Sequence, residues 1–101
     1  MSNRRIHHDA HVPVGNTTVL TTDNAVTLAV PAGASGIILQ NLFTNGSYWR
    51  LTSAMSAADQ GFKLDLTPIG IWFTEQTTNV YLWIHPSDSI VYQFVAPVPR
   101  T

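Results

Sequence analysis

Three features of the 101-residue chain predict an all-β domain, a small antiparallel β-sandwich of jelly-roll type with seven to eight strands and an N-terminal arm. Short apolar runs alternate with period two, turn residues recur between them at regular spacing, and no run carries an apolar face at helical period. The length suits one domain built on one modest core.

Residues 1–16 are polar, hold three of the four histidines and end in Val12-Pro13-Val14-Gly15-Asn16, which reads as a flexible arm ordered by whatever binds it. The sandwich is expected over residues 17–95. Val26, Leu28 and Val30 alternate with Thr27 and Ala29 as a half-buried strand. After the turn Pro31–Gly36 comes a second run, Gly36–Phe43. Asn45-Gly46 is the pair that tight hairpin turns use, so a strand over Ser47–Ser53 is expected to fold back beside that run. Ser53–Gly61 reads as a loop, and Phe62, Leu64 and Leu66 as the apolar side of a further strand. Thr67–Gly70 turns the chain into Ile71–Thr74. Val80–Ile84 and Ile90–Val95 follow, separated by His85-Pro86-Ser87-Asp88. The tail 96–101 is expected to leave the ladder, because Pro97 and Pro99 lack a donor.

In Val80-Tyr81-Leu82-Trp83-Ile84 the aliphatic residues share one face and Tyr81 and Trp83 the other. A sheet with one face on a core shows polar residues on its second face. Here both sides are apolar, which points to a covered outer face. Composition points the same way. Charged residues are 11% of the chain, and its polarity comes from twelve Thr, seven Ser, six Asn and four Gln. An ordinary soluble surface carries about 25–35% charged residues as a guard against association. A covered surface and a weakly charged Thr-rich β-protein both fit this composition.

The same inventory disfavours several chemistries. One lysine, one adjacent basic pair (Arg4 and Arg5) and a net charge of −1 do not form the cationic surface that nucleic acid requires. With no cysteine there is no disulfide or thiolate site. The N-terminus lacks the apolar run of a secretory signal, and no segment has the length of a membrane span, so neither export nor membrane insertion is expected. No Gly-x-Ser-x-Gly elbow or phosphate-cradling glycine loop occurs, and the six carboxylates are scattered. No catalytic residue, resident metal or cofactor is therefore assigned. His7-His8-Asp9-Ala10-His11 has ligand-like spacing, but it lies on an arm without an apolar face to fix a helix, so a solvated arm is preferred to a metal site. Tyr48, Trp49, Trp72, Phe73, Tyr81, Trp83 and Tyr92 divide between core packing and exposed platforms that stack on sugar rings or bases.

From Val30-Pro31-Ala32-Gly33-Ala34-Ser35-Gly36 through Ile37-Ile38-Leu39-Gln40-Asn41, with Tyr48-Trp49-Arg50 and Gly61-Phe62-Lys63-Leu64 after it, the chain resembles a group of small tailed-phage virion proteins. The likeness runs over residues 24–95. The group carries a Pro-Gly turn where this chain has Pro68-Ile69-Gly70, and the histidine-bearing arm is no part of its pattern. The resemblance implies a capsid decoration (cement) protein or another head or tail accessory component, and the first reading is a decoration protein that stabilises the head by binding between capsomers. Its partners would be the major capsid protein or other virion subunits, and its place the virion, after synthesis in the host cytoplasm. A homo-oligomer, preferably a trimer, is expected. Tyr81, Trp83, Trp72, Arg4, Arg5 and Ile6 are the expected partner-interface residues. A carbohydrate- or receptor-binding β-module is the alternative.

Overall fold

The computed structural model describes residues 11–20, 24–55 and 61–97. Eight strands form two four-stranded sheets: β1 (His11–Leu20), β2 (Asn24–Ala29), β3 (Gly36–Asn41), β4 (Ser47–Arg50), β5 (Phe62–Leu64), β6 (Ile69–Trp72), β7 (Asn79–Ile84) and β8 (Ile90–Pro97). The first sheet has the order β1-β8-β3-β6 and the second β2-β7-β4-β5. Every pairing is antiparallel, and the pairs β1·β8, β2·β7, β3·β6 and β4·β5 are nested one inside the next. A long hairpin rolled so that successive strands alternate between sheets gives this order, which is that of a jelly roll. Pairs β3·β8 and β4·β7 close the roll.

The core lies between the sheets. Ile37 and Leu39 from β3, Val80, Leu82 and Ile84 from β7 and Ile90 from β8 are wholly buried, and Leu64 and Phe94 close around them. Period-two alternation produces this directly: β7 buries every second residue and leaves Asn79, Tyr81 and Trp83 on its outer side.

Three expectations are corrected. The strand after Asn45-Gly46 does not fold back on β3; β4 crosses to the other sheet and pairs with β5 and β7. Gly46 does take a positive φ of 125°, but it serves a corner between sheets. Of residues 1–16, expected as an arm, His11–Asn16 belong instead to β1, with His11 paired to Pro97, and residues 1–10 lie outside the described residues. Pro13 is tolerated there because β1 is an edge strand. Pro97 likewise ends β8 as a ladder partner, since a terminal proline loses only a donor. A bulge between Val14 and Thr18, with Gly15 at φ 78°, is held by Gln93, whose amide donates to the carbonyls of Val14 (3.3 Å) and Gly15 (3.1 Å).

Candidate functional site

Three features stand out beyond the core: two outer sheet faces and one buried polar corner. On the outer face of the second sheet, Trp83 stands between Ala25 of β2 and Tyr48 of β4, and Tyr81 between Thr27 and Arg50. Lys63 of β5 pairs with Tyr48 at the end of the first row. All three aromatic rings are half-buried, and the β2 residues beside them, Ala25, Thr27 and Ala29, are small and exposed. The result is a shelf, with aromatic side walls on β7 and β4 and a low floor on β2. Arg50 is anchored rather than free, donating from Nε to the Ser53 carbonyl and from Nη2 to the Ala54 carbonyl, each at 2.8 Å. The Tyr81 hydroxyl accepts from Asn79 Nδ2 at 3.2 Å.

The outer face of the first sheet is also apolar. Trp72 on the edge strand β6 is 53% exposed, and its ring lies over Gly36, its cross-strand partner, where a Cβ would collide with it. Gly70, opposite Ile38, leaves a gap beside that ring, and Ile38, Pro68, Gly70, Trp72 and Val95 bound a shallow groove of about 300 Å³. Leu42, Phe43 and Leu66 add exposed apolar side chains at one end of the sandwich, and Phe62, its ring tilted by 37° against that of Trp49 with centroids 5.1 Å apart, adds one at the β5 edge. Trp49 packs against the core, so its ring is no open platform.

The corner is built around Asp88, which is 2% exposed. Its carboxylate accepts hydrogen bonds from Ser47 Oγ (2.6 Å), Asn41 Nδ2 (2.9 Å), Asn45 Nδ2 (3.0 Å), Asn45 N (3.1 Å) and Gly46 N (3.2 Å). Burial alone pushes this carboxyl up; the donors from Ser47, Asn41 and Asn45 together outweigh it and bring the pKa down from 3.8 to about 2. The charge is thus held by dipoles, and its task is structural: it ties the β7–β8 turn to the β3–β4 crossover. Ser47 Oγ also accepts from the His85 backbone N–H at 3.0 Å, extending the tie to the end of β7.

Of the expected interface residues, Tyr81 and Trp83 lie on the second sheet and Trp72 on the outer face of the first, so the described three do not form one surface. Arg4, Arg5 and Ile6, and the cluster His7-His8-Asp9, lie outside the described residues. Among the described residues no three His, Asp or Glu side chains come together as a metal site. Sequence reasoning missed Asp88 and the groove at Gly70. The signal for Asp88 was the run of short polar residues, Asn41, Asn45 and Ser47, placed where strands end.

Together the fold and its surfaces define a charge-poor jelly roll with apolar residues on both outer faces. No family model, curated protein or solved structure matches the chain.

Proposed function

We propose that the chain is a structural subunit of a tailed-phage virion, a capsid decoration protein that docks on the assembled head between capsomers. The observation that carries this reading is the Tyr48, Tyr81 and Trp83 face, an aromatic cluster on the outer side of a sheet whose other side already covers the core. Monomeric soluble proteins rarely leave such faces open, and interfaces are enriched in aromatic residues. The exposed Ile38 and Trp72 on the opposite sheet offer a second contact, which suits a subunit that touches both its own copies and a shell. Jelly rolls serve widely as capsid domains, and the likeness of residues 24–95 to small virion proteins supports the same assignment.

Gradient co-sedimentation tests it. The protein is expected to travel with assembled heads and not with unassembled capsid protein, and Trp83→Ser to lose at least about tenfold in affinity, as hot-spot aromatics do. Failure to bind any head or tail particle would overturn the reading.

A carbohydrate-binding module is the second reading, favoured by the low floor beside Tyr81 and Trp83, which leaves ring faces open for stacking. It predicts glycan binding by the isolated monomer, which the decoration reading does not.

A further inference from the structure

We infer that Asn45-Gly46 is a deamidation site held intact by the folded Asp88 corner, and that a chain deamidated there no longer builds that corner. This goes beyond the virion assignment and holds whatever the chain binds.

The sequence supplies the reacting pair. Of the six asparagines only Asn45 precedes a glycine, and glycine leaves its own backbone nitrogen least obstructed. In an open chain the Gly46 nitrogen attacks Cγ of Asn45. The N–Cγ bond forms, the Cγ–Nδ2 bond breaks, and ammonia leaves with the proton that the Gly46 nitrogen gives up. Water then adds to either carbonyl of the cyclic imide, which opens to aspartate or isoaspartate at position 45. Water is the one co-reactant, and nothing is oxidised or reduced.

In the folded chain one carboxylate occupies both reacting groups. The Gly46 N–H donates to Asp88 Oδ2 at 3.2 Å. Asn45 Nδ2 donates to Asp88 Oδ1 at 3.0 Å and to the Ser87 carbonyl at 3.3 Å, and the Asn45 backbone N–H reaches Oδ1 at 3.1 Å. The Asn45 side chain is thus fixed at its amide end, and its Cγ is not free to swing onto the Gly46 nitrogen. An anion beside the Gly46 N–H also disfavours loss of its proton, which would set two negative charges together. Nor does Asp88 take that proton itself. Five donors and a pKa of about 2 make it a poor base. Asn45 is exposed, so hydrogen bonds and not exclusion of water keep the pair unreactive.

The fold requires this reactive pair all the same. Gly46 takes a φ of 125°, where other residues are strained, and Asn45 ties the crossover to both Ser87 and Asp88. Deamidation destroys the fit in one direction. Aspartate at position 45 has no amide to donate, and its carboxylate would face the buried carboxylate of Asp88 and the Ser87 carbonyl. Isoaspartate lengthens the backbone by a methylene, which carries the Gly46 N–H off Asp88. A chain kept unfolded therefore loses, with time, its ability to close the β3–β4 crossover onto the β7–β8 turn.

The wild-type chain is incubated at neutral pH both folded and in urea, and peptide mapping by mass spectrometry follows conversion of the Asn45 amide to acid. The folded chain is expected to react at least about tenfold more slowly, because reaction waits for local opening of the corner. Asp88→Asn keeps the shape of the side chain but leaves one acceptor oxygen, too few to hold both groups. Folded by circular dichroism, that variant is expected to deamidate at Asn45 several-fold faster than wild type. A further comparison stands even where Asp88→Asn fails to fold. Asn45→Asp reproduces one product, whereas Asn45→Ala removes the amide without adding charge, so Asn45→Asp is expected to show the lower urea midpoint of the two. Equal rates in folded and unfolded wild type would overturn the inference. So would a folded Asp88→Asn chain that reacts as slowly as wild type, or an Asn45→Asp chain as stable as wild type.

Discussion

Asp88 is the residue on which local chemistry matters most. Five donors surround one buried carboxylate with no cation among them, so the charge is stabilised only while the corner is formed. Asp88→Ala removes the shared acceptor and leaves buried donors on Asn41 and Ser47 unmatched; the expected loss is about 3 kcal/mol in urea unfolding. The same group sets an acid response. Its folded pKa, about 2, lies below the ordinary 3.8, so its contribution is complete above pH 4 and is lost as the pH falls toward 2. The wild-type chain should therefore lose about 2 kcal/mol of stability across that window, and Asp88→Asn should show a flatter acid limb. A wild-type acid limb as flat as that of Asp88→Asn would remove Asp88 from this role. The sequence shows Asp88 only as one of several scattered acids. Its partners come from positions 41, 45 and 47, and that convergence exists only after the chain has rolled up.

At the level of elements, strand existence was legible and strand partnership was not. Period-two runs such as Val80–Ile84 predict a buried and an outer side correctly, because alternation is a property of the strand itself. Asn45-Gly46 misled for a physical reason. The pair supplies a positive φ, which a hairpin needs but a corner between sheets needs as well, and only the Asp88 contacts distinguish the two. The extent of β1 was hidden in the same way: Pro13 and Gly15 look like breakers until an edge position and a Gln93-clasped bulge accommodate them. The β3·β6 pair offers its own test. Gly36 sits beneath the Trp72 ring, and a methyl group there would press on both that ring and the Ile71 carbonyl. Gly36→Ala is expected to cost about 1–3 kcal/mol and to shift Trp72 fluorescence. A neutral result would mean that the ring does not rest on this glycine.

For the whole molecule, the nested pairing has a kinetic consequence. The pair β1·β8 joins residues far apart in sequence, from Leu20 with Ile90 to His11 with Pro97, so refolding should take milliseconds to seconds by stopped-flow fluorescence, and microsecond folding would contradict this pairing order. The outer surfaces have an associative consequence. With only 11% charged residues and apolar side chains on both sheets, the free chain should self-associate, with the trimer as the preferred state in sedimentation equilibrium. The candidate site was legible in part. Tyr81 and Trp83 were visible as the wrong side of an apolar strand, whereas the groove depends on Gly70 facing Ile38 across two strands and carries no local sequence signal. The central claim is that the Tyr48, Tyr81 and Trp83 face is covered when the protein is at work. A cryo-electron microscopy map of the decorated head tests it most directly. The account predicts that the jelly roll is seated with this face against a neighbouring subunit. A map in which those three side chains face solvent on every copy would contradict it.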